Sequence, residues 1–298
     1  LCAVGGGAVS MVVHTLFADQ IRKRRRAIMS AVTGAANTLG ILAGTALTGQ
    51  IAQFGQAAMF LGPGLVSVGL WLAMFCTLRD LHRADPPPRV DWRGLIETFW
   101  LSPRRYPDFA WAWACRFLMT ASIVTVTSYL YLTISSRFDL DEPAAISALQ
   151  AQVAGAFAVT NLLFAFVFGV ISDRTGRRKP SVAFGAMLSA AGLLIAISAP
   201  GFAVYAIGLA VVGAGQGAYI SADVALMTEC LPSFKDAGKD LGIVALAYLL
   251  PGIVTPVIGF ALTKIASPTG ENFAALYVAA IVMAIGAGLS VLKIKKVR

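Results

Sequence analysis

Residues 27–78 and 180–222 contain no Asp, Glu, Lys or Arg. An ordinary soluble domain carries about one charged residue in four, so runs of this length do not belong to one. A helix crossing a bilayer needs about 20 consecutive apolar residues, and each run therefore holds two spans. The breaks fall at 50–56, between two glutamines, and at Ala199-Pro200-Gly201. Across the chain hydrophobic residues make up 57% and charged residues 13%. The expected fold class is an all-α, polytopic membrane protein. Nine helices are predicted, at about 1–18, 28–50, 57–78, 109–135, 146–171, 181–199, 202–228, 241–263 and 273–292.

Loop charge sets the orientation. With the C-terminus inside, the cytoplasmic segments hold five Lys or Arg at 22–26, six at 79–105, four at 174–179, two at 235–239 and four at 293–298. The outer loops hold only Arg137 and Lys264, and Arg116 lies within a span. That asymmetry is the positive-inside pattern. It accounts for the net charge of +9 without any nucleic-acid partner. The expected location is the cytoplasmic membrane, multi-pass, with residue 1 outside.

The stretch GVISDRTGRRK, residues 169–179, sits between two apolar runs and reads as a tight cytoplasmic hairpin. Gly176 supplies the backbone freedom such a turn requires. Gly169, Asp173, Arg174, Gly176, Arg177 and Arg178 match, position by position, the signature loop that the major facilitator superfamily carries between helices 2 and 3 and, more weakly, between helices 8 and 9. The chain therefore resembles that superfamily. The resemblance implies a secondary active transporter working by alternating access, with twelve helices and both ends inside.

Nine helices with the C-terminus inside fit helices 4–12 of that plan, the first three missing. The expected domains are then 1–78 (helices 4–6), 79–108 (the central loop) and 109–298 (helices 7–12). An ungapped repeat agrees. At an offset of 210 residues, Asp19 aligns with Glu229, Gly5 with Gly215, Gly7 with Gly217, Ala8 with Ala218 and Leu16 with Leu226. Two halves related by an axis along the membrane normal produce such a repeat. Within the central loop, Pro86-Pro87-Pro88 enforces extended chain. Trp92, Leu95, Ile96, Phe99 and Trp100 then recur at helical spacing, the pattern of a short amphipathic helix lying in the interface or packed on the bundle.

Ionisable groups inside spans cost a few kcal/mol each at the bilayer centre, so they mark pathways. Arg116, Asp223 and His14 are the three. By the resemblance they lie on helices 7, 10 and 4, which line the central cavity. An Arg116–Asp223 pair is suited to coupling proton movement to a conformational change; the blander readings are a snorkelling arginine and a histidine bonding a neighbouring helix. The resemblance also assigns Asp173 to the dipole of a helix starting near Ala27, and Arg177 to Glu229 at the end of the neighbouring helix. These contacts would bias the gate; the plainer alternative is a loop that only enforces topology. Gln216 and Tyr219 face the pathway in the same reading, and Thr125, Thr127, Tyr129, Gln150, Gln152, Asn161 and Tyr248 are further candidate solute contacts.

The glycines at 34, 40, 44 and 49, and at 213, 215 and 217, are expected to let helices approach closely. Residues 40–45 read GILAGT, with Thr45 where the antiporter branch carries Pro. Pro251 and Pro256 are expected to kink their helix. The four cysteines have no metal-ligand spacing, and no phosphate loop or nucleophile elbow is present, so no enzyme, metal or cofactor is expected. The reading is a monomeric transporter of a small solute, sugar or other polar metabolite favoured, coupled to protons or sodium. A drug or metabolite efflux antiporter, and a non-transporting truncated or structural membrane protein, are the alternatives.

Overall fold

The computed structural model describes residues 54–77, 104–230, 237–264 and 272–295, and scattered positions between 36 and 51. The expected first span, the amphipathic helix of the central loop, Ala27 and His14 lie outside the described residues. The helices are α1 Gln56–Thr77, α2 Pro107–Ser128, α3 Leu130–Phe138, α4 Pro143–Thr175, α5 Lys179–Ser198, α6 Phe202–Cys230, α7 Ala237–Thr263 and α8 Phe273–Leu292. Six of them, α2 and α4 to α8, are long and apolar enough to cross a membrane.

These six form one bundle around α6, which packs on α4 and α5 and touches α2. Helix α8 packs on α2 and α5, and α7 lies against α2 and α8. The core has two layers. At one end Phe109, Met119, Val182, Leu226, Met227 and Ile294 pack together; at the other, Ile134, Ile146, Val153, Leu193, Tyr205 and Tyr277 do. The first layer lies at the end that carries the 169–179 stretch, here the motif end.

Glycine sets the closest approaches. A Cβ at Gly213 or Gly217 would strike the carbonyl of Phe157 or Asn161 on α4. At Gly185 it would stand 2.5 Å from the Gly215 carbonyl oxygen, so α5 and α6 touch backbone to backbone. Small residues at helix contacts are what lets dispersion and polar contacts hold helices together in lipid. At Gly40, Gly44 and Gly49 nothing among the described residues lies within 4 Å of an added Cβ, and Gly34 lies outside the described residues.

The span expected over 109–135 is two helices. Tyr129, at φ −109 and ψ 8, interrupts it, and α3 continues to Phe138. Around the break Thr125, Thr127 and Thr133 turn their hydroxyls onto the carbonyls four residues back, a bond that bends helices. The Tyr129 hydroxyl donates to the Pro256 carbonyl at 2.6 Å, linking this break to proline-containing α7. Arg137, expected as a plain outer-loop cation, donates to the carbonyls of Ala196, Ile197 and Ala199 and so caps the C-terminal end of α5. A cation there meets the negative end of the helix dipole.

Candidate functional site

Helices α2 and α6 cross so that Arg116 and Asp223 meet. Arg116 Nη1 donates to Asp223 Oδ2 at 2.6 Å. Asp223 sits seven residues before the end of α6, about 10 Å into the bundle at 1.5 Å per residue. It is 5% exposed. Its second oxygen, Oδ1, accepts from the Tyr219 hydroxyl at 2.7 Å. Gln216, Tyr219 and Asp223 are spaced i, i+3 and i+7, which puts them along one face of α6. Tyr219, expected along the solute pathway, places its hydroxyl on the carboxylate. The i, i+4 spacing to Asp223 was the available signal.

A buried ion pair survives only when its partners are well bonded, because each charge has lost its water. Both carboxylate oxygens of Asp223 are satisfied. Arg116 Nε and Gln216 Oε1 are buried with no hydrogen-bond partner among the described residues. Among the described residues, one donor on the pair and one acceptor about two turns away on the same face of α6 thus remain uncommitted. Beside Arg116 on α2, Trp113 Nε1 donates to the Ile243 carbonyl at 2.8 Å and holds α7 against this end. Of the other expected solute contacts, Thr125, Thr127 and Tyr129 donate their hydroxyls to backbone carbonyls, and Gln152 and Tyr248 are exposed.

The motif stretch is shorter as a loop than its sequence suggests. Helix α4 runs through Thr175, so Gly169, Asp173 and Arg174 are helical, and only residues 176–178 turn. Gly176 closes α4 in the left-handed conformation, φ 63 and ψ 9, its N–H on the Ser172 carbonyl at 2.9 Å. Gly169 makes no comparable demand, since an added Cβ would meet only Ser221 at 4.0 Å.

The arginine that reaches Glu229 is Arg178, Nε to Oε1 at 2.7 Å, and not Arg177 as expected. The left-handed turn at Gly176 leaves Arg177 exposed, and Arg178, already at helical φ and ψ as the first cap of α5, lies over the end of α6. Arg174 is also exposed. The Asp173 side chain lies outside what is described, as does its expected partner helix near Ala27.

Comparison with curated proteins gives no match. The model of the family described as Major Facilitator Superfamily matches residues 1–154 and 144–297. A double match is the expected result for a fold built from two related halves. With six membrane-length helices bundled around α6 and nearly the whole sequence matched, the chain belongs to the major facilitator superfamily.

Proposed function

We propose that this member of a family of secondary transporters moves a small polar solute across the cytoplasmic membrane by alternating access, with Arg116 and Asp223 coupling an ion, in the first place a proton, to the conformational change. The observation that carries the reading is the 2.6 Å pair itself, buried between two spans. A proton arriving on Asp223 removes the charge that holds Arg116. Arg116 then needs another anion or polar group, and the helices carrying the two residues are free to separate. Tyr219 stays in reach of Oδ1 throughout and keeps the carboxyl oriented. Gln216 Oε1 and Arg116 Nε supply one acceptor and one donor toward a solute hydroxyl or amine.

The motif loop belongs to the gate. In this reading Arg178–Glu229, with Asp173, favours the state closed on the cytoplasmic side. Residues 79–108, 174–179 and the C-terminus are cytoplasmic, and 109–298 is the C-terminal half. Supporting this, Asp108, Arg178, Lys179, Glu229, Ile294 and Lys295 meet at one end of the bundle.

Paired neutralisation tests the coupling role. Removing one partner of a buried pair costs about 3–5 kcal/mol, because the other charge is left unpaired. Arg116→Gln and Asp223→Asn are each expected to cripple transport, and the double variant to recover part of the loss. Independent, additive defects would exclude a functional pair, and proton-driven accumulation retained by Asp223→Asn would exclude the proton role.

A further inference from the structure

Beyond Leu292 the chain folds back across the motif end of the bundle. Ile294 is 1% exposed although it belongs to no helix, and it packs in the layer that contains Phe109, Cys115, Tyr219 and Met227. Three contacts surround it. The Lys179 ammonium donates to the Ile294 carbonyl, the Lys295 N–H donates to Asp108 Oδ1 at 2.9 Å, and the Lys293 ammonium lies 5.2 Å from the centre of the Trp111 ring. The segment thus leaves α8 and binds the first turns of both α2 and α5. Lys179 follows Arg178, the residue paired with Glu229 at the end of α6.

Terminal segments stay ordered only where something ties them down, and here a buried apolar side chain and three polar contacts do so. Their placement bears on the ion pair. Helix α2 packs chiefly on α7 and α8, and its own contact with α6 is slight, yet Arg116 and Asp223 bridge those two helices. A closed circuit of α2, α8, α5 and α6 is what fixes the distance across them. We propose that residues 293–295 form a strap closing that circuit at the motif end, so that the ends of α2, α5 and α8 move as one body, with Ile294 as the positioning residue that keeps the Cys115–Arg116 turn against α6. The strap stays docked through the transport cycle. The proposal concerns the geometry of the pair and holds whether or not the pair couples an ion.

Two buried cysteines report on it. In protein carrying Cys2→Ser and Cys76→Ser, Cys115 and Cys230 are the remaining thiols of residues 1–298, and both lie in the Ile294 layer. Ile294→Ala is expected to speed N-ethylmaleimide modification of Cys115 in membranes by about tenfold through local opening, and Ile294→Val to leave it near the parent rate. Equal rates in Ile294→Ala and the parent overturn the strap.

A second measurement does not depend on the folding of Ile294→Ala. Asp108→Cys combined with Lys295→Cys is expected to form an intramolecular disulfide on mild oxidation, and the cross-linked protein to transport at the rate of the reduced one. Failure to cross-link overturns the docking, and a transport block relieved by reductant overturns the claim that the strap stays docked. Undiminished coupling in Asp223→Asn alongside Ile294-dependent labelling of Cys115 would remove the proposed role of the pair and leave the strap standing.

Discussion

Arg178 Nε and Glu229 Oε1 lie 2.7 Å apart, joining the turn after α4 to the last turn of α6, while Arg177 beside it is exposed. Both partners are partly solvated, at 28% and 44% side-chain exposure, so the pair contributes no more than about 1 kcal/mol to folding. Its effect on a conformational equilibrium is another matter, because a gate poised near balance responds to small biases. Arg178→Gln is expected to lower uptake clearly more than Arg177→Gln, with both variants unfolding within a few degrees of the parent. Equal uptake in the two variants would show that the loop acts through net charge alone.

Tyr219→Phe keeps the ring and removes the donor to Asp223 Oδ1. Leaving a buried acceptor without its bond costs about 1–3 kcal/mol. The variant is expected to unfold earlier in detergent and to transport more slowly. Combining it with Asp223→Asn is expected to cost less than the two separate losses added together, since both act on one cluster. Strict additivity would show that the Tyr219 bond and the ion pair work independently.

Gly217→Ala and Gly155→Ala separate close packing from helix propensity. The added methyl at 217 collides with the Asn161 backbone carbonyl, which cannot move without shifting α4. Overpacking of this kind costs about 1–3 kcal/mol. At Gly155 nothing among the described residues lies within 4 Å, and replacing a mid-helix glycine by alanine gains about 0.5–1 kcal/mol. Thermal unfolding of the purified variants is expected to move in opposite directions.

The proposed orientation places Asp141 outside and Lys295 inside. An impermeant maleimide applied to intact cells is expected to label Asp141→Cys and to reach Lys295→Cys only after permeabilisation. The reverse pattern would invert the topology read from the positive-inside rule.

Much of the helix plan was legible because lipid leaves little choice. An uncharged run of sufficient length has to be helical, and α8 falls at the expected 273–292. The Arg116–Asp223 contact was legible for a related reason, since two opposite charges inside spans have few other partners. What escaped depends on local backbone geometry. The break at Tyr129 lies in an unbroken apolar stretch, and the threonines that bend it also occur in straight helices. The register of Arg178 over Arg177 depends on the left-handed turn at Gly176 together with the point where α5 begins. The capping role of Arg137 required knowing that α5 ends beside it, a relation between residues about sixty positions apart in sequence.

The Tyr129 break also makes the most specific demand on two helices at once. Its hydroxyl bonds the Pro256 carbonyl at 2.6 Å, and its ring lies where a Cβ on Gly259 would be, 2.5 Å from Cε2. Glycine at 259 is therefore required by the ring rather than by its own backbone. Tyr129→Phe loses one hydrogen bond, about 0.5–1.5 kcal/mol, and retains the packing. Gly259→Ala forces the ring out and loses both, so it is expected to be the more destabilising change, by about 1–3 kcal/mol. Tyr129→Ala empties the space that Gly259→Ala fills. The double variant Tyr129→Ala/Gly259→Ala is thus expected to be more stable than the two single losses predict when added, and the size of that coupling, measured by thermal unfolding, reports the contact directly. A coupling of zero would mean that α2 and α7 are held together elsewhere, with Trp113 on the Ile243 carbonyl as the contact to test next.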